Sequence, residues 1–387
     1  MKFKRIFLLI LDSLGVGEAT DAINFKDNGV NTLGHVIEKC DLYLPNLKKI
    51  GLLDTINFSE NNNVDAYYTI AKPSNPGKDS LNGHYELLGI KSNMEFKTYN
   101  QGFTYDILSA IEEITGRSVI GNSCCQDDTI IQELGDRQIN YGSLIIYTSA
   151  DSDLQVAAHE DCIPIPTLHS YCEKIREFTI KMDCKIARII ARPFTGTAGK
   201  YKFINNARKD FSTKPPKDTI LEKLTDKAYN VISIGKISDL FDGIGITKTI
   251  KANNNNEVIN KLTDIIDKNF SGLCIANLGD FDYYGHQRNV EEYANCIEEL
   301  DVNIPIILNK LELDDLLIIT ADHGNDPTYT GNDHTRENVP VILYSRNFKT
   351  PHRLQSFPTF ANIGASIAEN FNIEKPEIGE SFLEELE

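Results

Sequence analysis

A chain of 387 residues with 41% apolar and 25% charged residues has the balance of a globular protein and length for about two to three domains. Its formal charge of −17 excludes the basic footprint that nonspecific nucleic-acid or anionic-membrane binding needs in order to displace counterions. A small anion can still be bound, provided that metals or a few placed lysines and arginines offset the protein's own field.

The first predicted element is a buried strand, Arg5 to Leu11. Its apolar run is too short for a membrane span or a secretory segment and meets Asp12 at once, so the expected location is cytoplasmic. Asn61 to Asn63 reads as a solvated loop. In KDSLNGHYE, Ser80 is expected to cap a helix by accepting an early N–H, although Gly83 stands where a capping box would need Glu or Gln. Residues 97–213 carry strand and helix signals of their own, including a strand from Leu144 to Tyr147, and Pro215-Pro216 reads as a connector. A second domain is therefore expected as an insert at 97–213, splitting the core into 1–96 and 214–387. Beyond it come strands Val231 to Ile234, Leu273 to Asn277, Leu316 to Thr320 and Val339 to Tyr344, a solvated Asn253 to Asn256 tract, and a helix from Glu291 to Leu311. Short continuous apolar runs read as buried parallel strands, and their alternation with helices predicts an α/β sheet. The 8 cysteines lack any CxxC spacing and are read as reduced, mostly packing thiols.

Three of these strands finish in the same chemistry. RIFLLILD ends at Asp12, GLCIANLGDFD runs into Asp280 and Asp282, and LLIITADHGN delivers Asp322 and His323, while His286 and His334 follow from the same loops. Ligands of open α/β sheets bind beyond the carboxyl ends of strands. One Asp in such a place is an ordinary turn or cap residue, and a lone His is ordinarily packed or solvated. Several independent strand ends converging on Asp and His point instead to a metal site. Mixed carboxylate and imidazole donors suit manganese, zinc or magnesium, and six ligands suffice for two ions, which at a separation of about 3.5–4 Å serve phosphoryl transfer. A hydroxyl needs a base or metal to become a nucleophile, so Ser80 beside such ions is a candidate phosphoryl carrier.

IFLLILDSLGVGEATDA, NTLGH, PNLKKIGL, KDSLNGHYELLG, YTSADSDLQVAAHE, ARPFTG, GKISD, DFDYYGH, ADHGNDPTYTGNDHTRENVP and TFANIGASIAENF occur in this order over nearly the whole chain. As an ordered set they resemble phosphopentomutase, the bacterial type in the alkaline phosphatase superfamily; ADHGNDPT with DHTRE is the most specific part. The resemblance implies an alkaline-phosphatase-like core with a mixed, mostly parallel sheet and an inserted α/β cap. It implies interconversion of (deoxy)ribose 1-phosphate and 5-phosphate with two manganese ions and a bisphosphorylated sugar as primer of the phosphoenzyme. By matching positions, Asp12, Ser80, Asp322 and His323 would serve one ion, and Asp282, His286 and His334 the other. Ser149, Asp151, Arg192 and Lys236 would meet the sugar phosphate, with Lys78 and Arg208 as weaker candidates. The only partner expected is that small molecule, and the protein is expected to be a monomer.

Two departures from the family pattern stand out. The usual KDT threonine is Ser80 here, which keeps the hydroxyl but loses the methyl that fixes the rotamer. DFDYYGH is one residue shorter than usual, which leaves Asp280 as an alternative ligand to Asp282. That spacing and the serine are similar to the related cofactor-independent phosphoglycerate mutases. A metallophosphatase is the alternative activity, because a phosphoenzyme open to water hydrolyses, and a non-catalytic binding protein is the third reading.

Overall fold

The computed structural model describes residues 1–125, 128–149, 151–215 and 218–387. Ala150 of the TSAD motif and Pro216 of the expected connector lie outside the described residues. In chain order the strands are β1 (Arg5–Leu11), β2 (Tyr67–Ala71), β3 (Val119–Cys124), β4 (Leu144–Thr148), β5 (Asp153–His159), β6 (Arg188–Thr195), β7 (Lys202–Phe203), β8 (Lys209–Ser212), β9 (Asn230–Ile234), β10 (Lys248–Ile250), β11 (Gly272–Leu278), β12 (Asp315–Thr320) and β13 (Val339–Tyr344). The chain divides into two compact units, residues 1–93 with 215–387 and residues 94–214.

The first unit is built on a seven-stranded sheet in the order β10-β9-β11-β1-β12-β13-β2. Its first five strands run parallel, whereas β13 is antiparallel to both β12 and β2. The sheet is thus mixed and mostly parallel, as the resemblance implied. The parallel direction expected for Val339 to Tyr344 is thereby corrected: an apolar run reports burial on both faces but says nothing of direction. β1 sits at the centre, where all seven of its residues are buried. Even Arg5 is buried there, because its guanidinium holds Asp315 of β12 through two bonds of 2.7 and 2.6 Å and so pairs the charge it brings inside.

The helix Val290–Lys310 packs its Tyr293, Ile297, Leu300, Ile304 and Ile307 inward at three- and four-residue spacing, and Asn289 caps it by accepting from Glu292 N. The Asn253 to Asn256 loop is also corrected. Asn254 is an N-cap and Asn255 begins the helix Asn255–Ile266, since asparagine that would solvate a loop also satisfies a helix start. Cys172, Cys274 and Cys296 are buried thiols. Among the described residues no helix is long and apolar enough to cross a membrane.

The second unit has its own mixed sheet, β3-β4-β5-β6-β7 with β8 also pairing β6. One face is apolar: Leu144, Ile146, Leu154, Val156, Ile189 and Ala191 pack against the inward residues of the helices Tyr105–Thr115 and Ile165–Lys181.

Candidate metal centre

Neighbouring strand ends build the centre. β1 lies in register between β11 and β12, with Leu11 opposite Leu278 and Ile10 opposite Thr320. Asp12, the helix Asp280–His286 and the Asp322-His323 pair therefore leave the sheet at one carboxyl edge. β9 ends beside β11 with Ile234 opposite Ala276, and Lys236 follows two residues later.

The helix Ser80–Leu87 meets this edge at very close range. A Cβ on Gly83 would stand 2.1 Å from the carbonyl oxygen of Asp322, so a residue without one is required there. The cap assigned to Ser80 is corrected: Asp79 is the N-cap, accepting from Asn82 N at 2.9 Å. Asp and Ser are nearly equivalent caps and stand side by side here, so sequence could not choose between them. Ser80 is instead the first helical residue, 1% exposed, with its hydroxyl turned to Lys236 Nζ and His323 Nε2, each at 3.1 Å.

Two groups of three side chains could each hold a metal ion, Asp12 with Asp322 and His323, and Asp282 with His286 and His334; within each group the donor atoms lie within 4.8 Å of one another. Asp280 is turned elsewhere, its Oδ2 accepting from Asn255 N at 2.8 Å. Lys236 pairs with Asp12 as well as with Ser80.

The donor atoms fit a cation. Asp12 Oδ1 and Asp322 Oδ2 are buried, and among the described residues neither has a partner in full hydrogen-bond geometry. Imidazole nitrogens stand close to the second of these: His84 Nδ1 is 3.0 Å and His323 Nε2 3.2 Å from Asp322 Oδ2. In the other group, His286 Nδ1 faces the Asn332 carbonyl at 2.7 Å and His334 Nδ1 the Lys78 carbonyl at 2.8 Å. A carbonyl only accepts, so both Nδ1 atoms donate, and the two Nε2 atoms are the nitrogens turned toward Asp282 and each other. Those Nε2 atoms stand 2.9 Å apart, with Asp282 oxygens 3.3 and 3.2 Å away.

Electrostatics point the same way. Burial opposes ionisation of Asp322, yet the His323 and His84 rings hold its carboxyl well below the usual range. Burial also disfavours a charged His323, but the carboxylates, Asp322 foremost, push it up to about 10. Asp12 is raised, first by burial and next by Asp322, against the pull of Lys236. A place that draws a proton this strongly is one where positive charge between carboxylates is stabilised.

Sequence reasoning missed the residues behind these donors. Asn277 Nδ2 donates to Asp12 Oδ2 at 2.8 Å, and Asn325 Nδ2 to Asp282 Oδ1 at 3.0 Å. Arg288 orients Asn325 by donating to its Oδ1 at 2.5 Å, and ties in the loop before His334 through the Asp333 carbonyl at 2.7 Å. Asn277, one residue before the end of β11, and Asn325, two after His323, carried a positional signal, because both flank ligands at strand ends. Lys78 pairs with Asp27 at 2.9 Å and Asp333 at 3.2 Å.

Ser149, Asp151 and Arg192 belong to the second unit. Ser149 donates from N and Oγ to Asp153, at 2.7 and 2.9 Å, and Asp151 pairs with Arg188 at 2.5 Å. Arg188, absent from the expected set, also lies 3.5 Å from Asp210, which Arg208 grips through two bonds of 2.7 and 2.8 Å. Arg192 stacks on Phe203, 4.1 Å from ring centroid to guanidinium carbon, and its buried Nε has no hydrogen-bond partner among the described residues.

Among solved structures the chain is similar to PH0037 protein from Pyrococcus horikoshii, at 15% identity over 96% of this chain and 98% of that one with a TM-score of 0.49. It is similar to Leishmania mexicana phosphoglycerate mutase at 12% identity over 98% and 97%, TM-score 0.48. A protein in the alkaline phosphatase superfamily from Vibrio parahaemolyticus matches at 10% identity over 98% of this chain and 69% of that one, TM-score 0.46. The family model described as the metalloenzyme superfamily matches residues 4–375, a span that contains every residue of both donor groups. The chain belongs to the metalloenzyme superfamily.

Proposed function

We propose that this metalloenzyme is a phosphopentomutase that interconverts (deoxy)ribose 1-phosphate and (deoxy)ribose 5-phosphate through phosphorylated Ser80. The observation that carries the reading is the Ser80 hydroxyl, released from capping by Asp79 and set 3.1 Å from both Lys236 Nζ and His323 Nε2 beside Asp12 and Asp322. Asp12, Asp322 and His323 would hold one divalent ion, with Ser80 beside it, and Asp282, His286 and His334 a second. Bound there, manganese or a similar ion supplies Lewis-acid stabilisation of a serine alkoxide and of phosphoryl oxygens.

The phosphoryl group passes from Ser80 Oγ to the free hydroxyl of the sugar phosphate; the P–Oγ bond breaks, a P–O bond to the sugar forms, and the hydroxyl proton ends on Ser80 Oγ. The resulting bisphosphate turns over and returns its other phosphoryl group to Ser80, which gives up the proton to the sugar oxygen. Lys236 keeps a positive charge against Oγ throughout, lowering the cost of anionic oxygen in an acidic chain. Arg192, Ser149 and Asp151 would bind the sugar phosphate, with the planar Arg192 fork suited to phosphate.

Purified protein with manganese, ribose 1-phosphate and a sugar bisphosphate primer tests this reading. Formation of ribose 5-phosphate and one phosphoryl group mapped to Ser80 by mass spectrometry are the expected results. Phosphate release without isomerised sugar would make the protein a phosphatase, and phosphorylation at another residue would overturn the role of Ser80.

A further inference from the structure

The Ser80–Leu87 helix carries a second inward side chain, one turn beyond Ser80. His84 is 1% exposed, with Nδ1 2.8 Å from the Ser80 carbonyl oxygen and 3.0 Å from Asp322 Oδ2. Its Nε2 is 3.1 Å from Asn277 Oδ1, and the same amide donates through Nδ2 to Asp12 Oδ2 at 2.8 Å. One ring thus touches the backbone of the candidate nucleophile and one carboxylate directly, and reaches the other carboxylate through one amide. The amide cannot be reversed without turning its oxygen toward the Asp12 carboxylate, so the chain of contacts has one orientation.

We propose that His84 and Asn277 are positioning residues that lock the Ser80 helix to both carboxylates of the first donor group, so that cation binding there and the setting of the Ser80 hydroxyl are one linked event. The inference rests on the reading that this group holds a metal ion. Groups behind metal ligands fix their orientation, and losing one typically weakens metal affinity about 10–100-fold.

The test uses the full chain stripped of metal and titrated calorimetrically with Mn²⁺ alone, followed by intact-mass measurement of phosphoryl uptake from a sugar bisphosphate. Wild type should show two binding events. In Asn277→Ala, one event should weaken by about 10–100-fold while the other stays unchanged. His84→Asn puts an amide nitrogen near the Nδ1 position and His84→Gln puts one near Nε2, so the asparagine variant should keep more phosphoryl uptake at Ser80. Combining Asn277→Ala with His84→Asn should cost less Mn²⁺ affinity than the sum of the two, because both cut the same contact. Should the buried His84 variants fail to fold, Asn277→Ala alone decides. Two events within about twofold of wild type in Asn277→Ala, or equal weakening of both events with a lower melting temperature, would overturn the proposal. A wild-type protein that bound no Mn²⁺ would sink the metal reading itself, a different outcome from two intact events in the variant.

Discussion

The two donor groups occupy one edge of one sheet yet differ in composition and in enclosure. Asp12, Asp322 and His323 bring two carboxylates and one imidazole and are all buried, whereas Asp282, His286 and His334 bring one carboxylate and two imidazoles, with the Asp282 side chain 17% exposed. The first group leans on side chains, Lys236, His84 and Asn277; the second leans on backbone carbonyls that face its imidazole Nδ1 atoms, and on Asn325. The difference teaches a division of labour. The carboxylate-rich group gathers negative charge around Ser80 and needs a cation to offset it, while the imidazole-rich group has a rigid, pre-aimed donor set that is open on one side.

That comparison can be broken most severely at Asp322. Asp322→Asn removes a carboxylate from the sealed group and should cut turnover by at least about a thousandfold, along with one bound Mn²⁺ and phosphoryl uptake at Ser80. Metal analysis and mass spectrometry read this out, and near-wild-type turnover would show that the group is not the reactive one. His286→Ala attacks the open group instead. Turnover should fall by about a hundredfold or more and one Mn²⁺ should be lost, with the Mn²⁺ event of the sealed group intact. Loss of both ions together would erase the distinction between the groups.

A smaller effect separates capping from chemistry within one dipeptide. Asp79→Ala should destabilise the fold by about 1 kcal/mol, because it is the cap, whereas Ser80→Ala should leave the melting temperature nearly unchanged and abolish phosphoryl uptake. Paired thermal melts decide, and a clear drop for Ser80→Ala with none for Asp79→Ala would reverse the assignment.

The smallest effect concerns Glu337, which touches neither group but ties the loops around them, accepting from Gly17 N, Thr32 N, Thr32 Oγ1 and Thr335 Oγ1 at 3.1, 2.9, 2.6 and 2.7 Å. Burial raises its carboxyl from 4.5 to about 7, in spite of the Thr32 and Thr335 hydrogen bonds. The folded protein therefore holds a proton that the unfolded chain has already lost, and this group's contribution makes stability fall as pH rises from about 4.5 to about 7. Glu337→Gln, which cannot ionise, should flatten the melting-temperature profile in that window; an unchanged slope would mean that Glu337 is already ionised in the folded state.

Sequence alone determined the pieces whose information is local. Apolar runs located β1, β9, β11, β12 and β13 because burial on both faces demands continuous apolar side chains, and the Asp and His residues after three of them were visible as a repeated strand-end pattern. Tertiary structure alone decided what depends on distance across the chain. It turned β13 antiparallel, assigned the cap to Asp79, separated Asp282 from Asp280, and placed His84 and Asn277 behind the donors. Apart from the cap, which is a choice between two neighbouring residues, these rest on groups distant in sequence, such as Asn277 and Asp12, which are 265 positions apart and bonded at 2.8 Å. The physical reason is that a hydrogen-bond partner is chosen by the sheet register that brings two strand ends together, and register is a property of the packed fold that no local run of residues encodes.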